Sequence, residues 1–499
     1  MSLIFLLFVV AGAVSVTLQA DVGRRDFGAA PAALQVEPRI IRGIRTPFYV
    51  LWGLRDPIKS STAIIDRYGP LVVFEAFGPF PRRRGTTIWA IGEEFNRAVL
   101  GNPQVWRTTP LPTDGPKGSA LARLSDNVVS SNGPRQAHYR KLVAHPLRSS
   151  NIEHFAEDLG RLVEGEVASW PLGAVDLWQL SRNLMRPVAV ALLLGNDQRR
   201  GAAFGDLLDK LFLEAKCPQV QLLRKRIPGL AYDRLLRRAE EVERCALEFA
   251  TDRQASKSDR DLVSIVANAP DETGEVPAPQ AVVGQIPILF AATYETCQIA
   301  LTWTLFLLAQ HPQVARDLAQ EISSAFAGGP VDAARLAALP LLDAVVRESM
   351  RIMPPVPFQR RRAAEATTLG RYDVAPGASV IISPYFTNRN PQLYDAPTRF
   401  RPERWSRINP SPFAYLVFSG GPRTCPGYAF GTWLVKAALA AILSRFRIGI
   451  VPGTRIDVTY AVTFRPRGGL PAVLHPADGA WTAAPVTGQI HDMVDLAAA

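Results

Sequence analysis

The sequence predicts a mainly α-helical fold with small β-sheets, the α+β class, and three textures along the chain point to it. From about residue 135 to 352 apolar residues recur three and four apart, as in helices with one face turned inward. Ahead of this stretch lie two β-rich runs, Leu71 to Phe77 and Thr86 to Ile91, separated by a Gly/Pro/Arg turn. Behind it, from residue 353, come short strand and turn segments dense in Pro and Arg.

Taken in order, the chain opens on an uncharged apolar run, Leu3 to Leu18, followed by Asp21, Arg24 and Arg25. The run is shorter than the roughly 20 residues that span a bilayer comfortably. It lacks the basic start of a secretory signal, although Ala11-Gly12-Ala13 has the look of a cleavage site. Residues 3–18 therefore read either as a membrane anchor or as a short buried or poorly ordered segment. If the run inserts, the basic residues after it keep the main body on the cytoplasmic side. Residues 1–20 form this apolar segment, 21–54 a connector marked by Pro31 and Pro38, 55–475 the main domain and 476–499 an Ala-rich tail.

Within the main domain, residues 103–134 are rich in Pro, Gly, Ser, Thr and Asn and read as one long loop, the kind that often forms lids or binding walls. Helices are expected over 152–168, 176–194, 229–250 and 311–326. Residues 281–309 are apolar on all sides, as in a helix at the centre of a large protein. Gln285, Pro287 and Glu295 favour that core position over a membrane span. Val380 to Ser383 is a strand candidate, Pro391 to Trp405 a Pro-punctuated meander, and helical character returns after Cys425 up to about Arg445.

Composition removes several function classes. The 499 residues are 47% hydrophobic and 20% charged, which suffices for a large core without staples. The four cysteines, Cys217, Cys245, Cys297 and Cys425, form no C-x-x-C pair and no disulfide framework. The six histidines show no H-E-x-x-H spacing, against a zinc hydrolase, and neither a P-loop nor a G-x-G-x-x-G turn is present. The net charge of +11 is mostly arginine. Its short clusters, Arg82 to Arg84 and Arg360 to Arg362, lack the aromatic interleaving of an RNA-binding sheet and read as solvated faces, so no nucleic-acid partner is expected.

The segment Phe418-Ser-Gly-Gly-Pro-Arg-Thr-Cys425-Pro-Gly427 carries the strongest chemical signal. Glycines let a backbone come close to a flat ligand. Pro426 suits a first helical turn, which places Cys425 just before a helix N-terminus, where a thiolate is favoured. A thiolate there can ligate iron and push electron density toward O–O cleavage. Phe418, Gly421, Arg423, Cys425 and Gly427 complete the pattern F-x-x-G-x-R-x-C-x-G, and here the chain resembles the cytochrome P-450 family.

Two further segments carry the resemblance. Glu348-Ser-Met-Arg351 places an acid and a base on one helix face, ahead of Pro354-Pro355-Val356-Pro357 and Pro402-Glu-Arg404-Trp405. The resemblance implies that Glu348, Arg351 and Arg404 form a buried structural network behind the haem. Glu241-Val-Glu-Arg244 has the same spacing and, lacking that context, reads as a surface ion pair. In Ala291-Ala292-Thr293-Tyr294-Glu295-Thr296, residues Ala292, Glu295 and Thr296 share one helix face. Burial should raise the pKa of Glu295 and suit it to proton relay with Thr296. The family pattern [AG]-G-x-[DE]-T-[ST] is met at Ala292, Glu295 and Thr296, but Thr293 stands for the usual Gly and Cys297 for the usual Thr or Ser.

The resemblance spans residues 55 to about 470 and implies the cytochrome P-450 fold, a triangular helical domain enclosing haem b. It implies Cys425 as the iron ligand and Arg423, Arg361 and Arg140 as partners of the haem propionates. Gln136 departs from the Trp of the family's W-x-x-x-R helix. Residues 103–132, Ile288, Phe290 and Val356 to Phe358 are expected to line the substrate pocket. The implied reaction inserts one atom of O2 into an apolar organic molecule, with electrons from NAD(P)H through a separate ferredoxin or flavoprotein reductase, since the chain ends soon after the cysteine motif. A reductase-independent peroxygenase or lyase, and a non-enzymatic haem sensor or carrier, are the alternatives.

Overall fold

The computed structural model describes residues 36–496, save 43–48, 50–51, 53–55, 76–85, 111–112, 114, 196, 218, 221–222, 257, 259, 271–273, 327–332 and 461. The apolar run 3–18 and the cluster Arg82 to Arg84 lie outside these residues. The longer helices are α1 (Pro57–Tyr68), α2 (Glu93–Leu100), α3 (Gly133–Ala144), α4 (Ile152–Ala168), α5 (Leu177–Leu194) and α6 (Gln198–Ala215). They continue as α7 (Ala231–Ser256), α8 (Gln285–Gln310), α9 (Pro312–Phe326), α10 (Pro340–Ile352) and α11 (Tyr428–Leu443). Among the described residues no helix is long and apolar enough to cross a membrane.

Several helices start where an acid satisfies free backbone N–H groups. Asp56 caps α1 at Lys59 N (3.1 Å), ahead of Pro57, and Asp176 caps α5 at Trp178 N (2.8 Å). Asp197 caps α6 at Arg200 N (3.3 Å). Helix α8 forms the hub, packed against α5, α10 and α11. Several of its buried polar side chains find partners within the core, although Gln285 Nε2 and Gln310 Nε2 have none among the described residues. Gln285 Oε1 accepts from Val128 N (3.0 Å), Gln298 donates to the Trp178 carbonyl (3.1 Å), and Trp303 Nε1 donates to the Phe464 carbonyl (2.9 Å).

The strands are β1 (Arg39–Ile41), β2 (Leu71–Glu75), β3 (Thr86–Ala90), β4 (Trp106–Arg107), β5 (Gly173–Asp176), β6 (Gln359–Ala363) and β7 (Thr367–Leu369). After them come β8 (Tyr372–Val374), β9 (Ser379–Ile382), β10 (Phe446–Ile450), β11 (Val458–Tyr460), β12 (Phe464–Pro466) and β13 (Pro471–Pro476). The main sheet runs β1-β2-β3-β9-β6-β4, with Val73 opposite Ile88, Ile88 opposite Val380 and Val380 opposite Arg361. Smaller sheets are β10-β13-β5, the hairpin β11-β12 and the hairpin β7-β8. Together these give the mainly helical fold with small sheets that the sequence predicts.

Three expectations need correcting. Residues 103–134 are not one continuous loop: Trp106–Arg107 pairs with β6, Ala120–Leu124 is a short helix inserted into the core, and α3 begins at Gly133. Trp106, Leu121 and Leu124 are buried in packing clusters, so they are not pocket walls. The connector 21–54 contributes strand β1, because Ile41 has a buried place beside Phe74. The tail from 476 is packed rather than separate: Val486, Ile490, Met493 and Val494 are buried in the main core, and Asp495 bridges to Arg399.

Candidate active site

Helix α8 is covered along most of its length, but Ile288, Ala292, Glu295 and Thr296 form a more open stripe at helical spacing, with Ala292 the most accessible. A small residue at the centre of that stripe leaves room for a flat group to lie against the helix. Thr296 donates its hydroxyl to the Ala292 carbonyl (2.6 Å). Phe290, expected on the pocket wall, instead points into the core, edge-on to Phe204 and Tyr294. It lies two residues off the open stripe, a turn of the helix that faces α6.

Glu295 departs from expectation. Burial by itself would raise its pKa, but Arg465, Lys216 and Thr463 more than offset this and hold the carboxyl below the usual carboxylate range. Arg465 on β12 forms an ion pair with it, and Thr463 donates to it (2.6 Å). All of these hydrogen bonds fall on Oε1, so among the described residues Oε2 accepts none. Neither Arg465 nor Thr463 carries any local signal in the sequence. Each is brought to Glu295 by the β11-β12 hairpin.

The cysteine loop is closed by Cys425 N donating to the Phe418 carbonyl (2.8 Å) and Thr424 Oγ1 to the Gly421 carbonyl (2.7 Å). Ser419 sits at φ 60° and donates to Gln359 on β6 (2.9 Å), which ties the loop to the main sheet. Gly421, at φ +65°, is required by protein packing: a Cβ would come within 2.5 Å of the Leu100 carbonyl oxygen at the end of α2. A Cβ on Gly427 would meet only Leu147 Cδ1, at 3.8 Å, so its neighbours leave that face of the loop open. Helix α11 starts at Tyr428, later than the sequence implies, with Pro426 and Gly427 in the turn before it.

Burial pushes the Cys425 thiol up, against the opposing pull of the Gly427 N–H and Arg140. The helix start does not by itself make this thiol a thiolate; a bound cation would. Cys297, where the family pattern has Thr or Ser, is buried against Gly431, and burial lifts its thiol to about 12. It is a neutral core residue.

Three arginines gather beside the loop. Arg361 on β6 donates to the Arg360 carbonyl (2.9 Å). Arg423 donates to the Ser131 carbonyl (2.6 Å) and Asn132 Oδ1 (3.0 Å), and Arg140 on α3 donates to the Thr424 carbonyl (2.7 Å). Burial, then Arg423, brings Arg361 down to about 10, and burial, then Arg140, does the same for Arg423. Among the described residues none of the three forms an ion pair with a carboxylate. Neighbouring cations of this kind, Arg361 buried and Arg140 and Arg423 half-buried, suit an anionic ligand, as haem propionates would be. The Arg360 to Arg362 cluster is thus not a solvated face: Arg361 is 9% exposed.

Behind the loop, Glu348 and Arg351 on α10 are 0% exposed and Arg404 6%. Arg351 binds Glu348 through Nε and a terminal nitrogen (2.9 Å each), Arg404 Nε through Oε1 (2.9 Å), and Trp405 Nε1 through Oε2 (3.1 Å). The two guanidiniums also hold the carbonyls of Asn388, Asp395 and Pro397. Glu241 and Arg244 do not pair with each other. Glu241 bonds Arg238 (2.7 Å) and Arg244 bonds Glu248 (3.3 Å), all on the outer face of α7.

The sequence profile of the cytochrome P450 family matches residues 116–468. Cyclooctatin synthase of Streptomyces melanosporofaciens is 29% identical over 73% of this chain and 81% of its own. A putative cytochrome P450 139 of Mycobacterium tuberculosis is 26% identical over 84% of this chain and 97% of its own. Among solved structures, retinoic acid-bound cyanobacterial CYP120A1 superposes with a TM-score of 0.74 at 21% identity, covering 85% of this chain and 96% of its own.

Proposed function

The chain belongs to the cytochrome P450 family and is a haem b-dependent monooxygenase, and on that premise we propose that Cys425 is its iron ligand. Haem, when bound, supplies the iron at which O2 is reduced, one atom entering the substrate and the other leaving as water. The observation that carries the assignment is the arrangement around Cys425: a closed loop, an open glycine face at Gly427, and Arg423, Arg361 and Arg140 gathered without carboxylate partners. These arginines hold the propionates. Phe418 and Gly421 shape the loop, and Ala292 gives the opposite face its clearance.

Glu295 and Thr296 handle protons on that opposite face. Glu295 Oε2, left open while Arg465 and Thr463 engage Oε1, is the atom that exchanges a proton. Thr296 donates to its own helix and keeps its lone pairs to accept. A carboxyl held below its unfolded pKa adds stability that is present above that unfolded value and lost as pH falls through the lowered folded one. In Arg465→Met the carboxyl stays buried without its main counter-charge, so its pKa rises. The acidic limb of the turnover profile should then move to higher pH. An unmoved limb would assign the titration to another group.

The substrate is an apolar organic molecule, and electrons arrive from NAD(P)H through a separate ferredoxin or flavoprotein reductase that docks on the basic surface. Turnover under labelled dioxygen with such a reductase should place one labelled atom in the product and the other in water. Product formed without the reductase, or with oxygen drawn only from added peroxide, would favour a peroxygenase.

A further inference from the structure

Asn132 stands at the N-cap of α3 with extended backbone, where an asparagine side chain ordinarily accepts from the first free N–H groups of its own helix. Here the side chain makes no such bond. Its Oδ1 accepts instead from Thr108 N (2.9 Å), Thr108 Oγ1 (3.2 Å) and the Arg423 guanidinium (3.0 Å). Its Nδ2 donates to the carbonyls of Thr108 and Ser130 (3.2 Å each). The amide is spent on a cross-link, at the expense of the cap.

This cross-link joins the elements that carry all three arginines beside the cysteine loop. Thr108 directly follows β4, whose Arg107 lies opposite Arg362 on β6, next to Arg361. Asn132 itself leads into α3, which carries Arg140, and Arg140 donates to the carbonyl of Thr424, the neighbour of Arg423. Arg423 is bonded directly, and its other hydrogen bonds go to the carbonyls of Ser131 (2.6 Å) and Val129 (3.4 Å). Among the described residues every acceptor that holds Arg423 is therefore neutral. Neutral acceptors fix a guanidinium in place without cancelling its charge, whereas a carboxylate there would compete with an anionic ligand. Building on the reading of Arg423 as a propionate partner, we propose that Asn132 is a positioning residue for the cofactor. It acts through Arg423, holding that side chain ready for a haem propionate and leaving its charge unspent.

The test follows two properties of the haem-loaded full chain, the rate of haem transfer to excess apomyoglobin and the midpoint potential of the iron. Asn132→Ala should release haem about tenfold faster, as loss of an outer partner does at a metal site. Its potential should fall, because a less firmly held cation favours the reduced iron less. Arg423→Gln should move both properties at least as far, and adding Asn132→Ala to it should move neither further. Thr108→Val removes hydroxyl bonds from the same segment but leaves the bond to Arg423, so it should stay within about twofold of the wild type. Wild-type behaviour of Asn132→Ala, an equal effect of Thr108→Val, or effects that multiply in the double variant would overturn the proposal. Wild-type behaviour of Arg423→Gln would instead overturn the propionate assignment of Arg423, and the proposal with it.

Discussion

Glu348→Ala should cost this protein about 3–5 kcal/mol, the usual penalty for removing one partner of a buried charge network. Whole domains are stable by only about 5–15 kcal/mol, so the variant should accumulate poorly and load little haem. The cost comes from what is left behind. Arg351 and Arg404 would remain buried with their carboxylate acceptor gone, and Trp405 Nε1 would lose its acceptor as well. Their carbonyl partners at Asn388, Asp395 and Pro397 would then be held by uncompensated cations, loosening the segment that leads to the cysteine loop. Glu241→Ala is the internal control. It has the same E-x-x-R spacing on the outer face of α7, pairs only with Arg238 among the described residues, and should change stability by about 0.5 kcal/mol or less. Equal denaturation midpoints for the two variants would remove the network from the account.

The second large effect is chemical. Cys425→His should retain a folded chain and leave Arg140, Arg361 and Arg423 to hold the cofactor, but it replaces a thiolate with a neutral ligand. The electron push that favours O–O cleavage is lost with the sulfur. Turnover should fall by more than the roughly 10–100-fold that loss of an outer partner of a metal ligand costs. Product yield per electron consumed should fall with it, measured against the wild type at equal haem content. Wild-type turnover in Cys425→His would mean that the reaction does not depend on this residue.

How much of this was legible depended on whether a feature is contiguous in the chain. The cysteine loop is one ten-residue segment, so its residue types and spacing survive in the sequence intact. Glu348 and Arg351 share one helical turn and were readable as a pair, whereas Arg404 was placed with them only through family resemblance. Arg465, Thr463, Asp209 and Lys216 carry no local pattern. They come from two separate elements, α6 and the β11-β12 hairpin, and only the crossing of α6 over α8 and the return of β12 bring them to Tyr294 and Glu295. That is why Glu295 was expected to have a raised pKa and proves to be held down. The sequence foresaw its burial but not its partners.

The same distinction governs the fold. Helices α4, α5 and α9 have strong apolar periodicity, and their expected and observed limits nearly coincide. Helix α6 is not among the helices that the sequence predicts. Gly201 and Gly205, poor helix formers, break its pattern because α5 lies too close for side chains: a Cβ on either would collide with Val190 or Arg186. The late start of α11 at Tyr428 has a local cause, since Cys425 and Thr424 are committed to the loop's own hydrogen bonds.

The bond between Cys425 and iron is best tested by the absorption spectrum of the purified, reduced wild-type protein under carbon monoxide. A thiolate-type Soret band that disappears in Cys425→His is the expected result. A wild-type spectrum typical of a nitrogen-ligated or unligated haem, or one unchanged by the substitution, would contradict it.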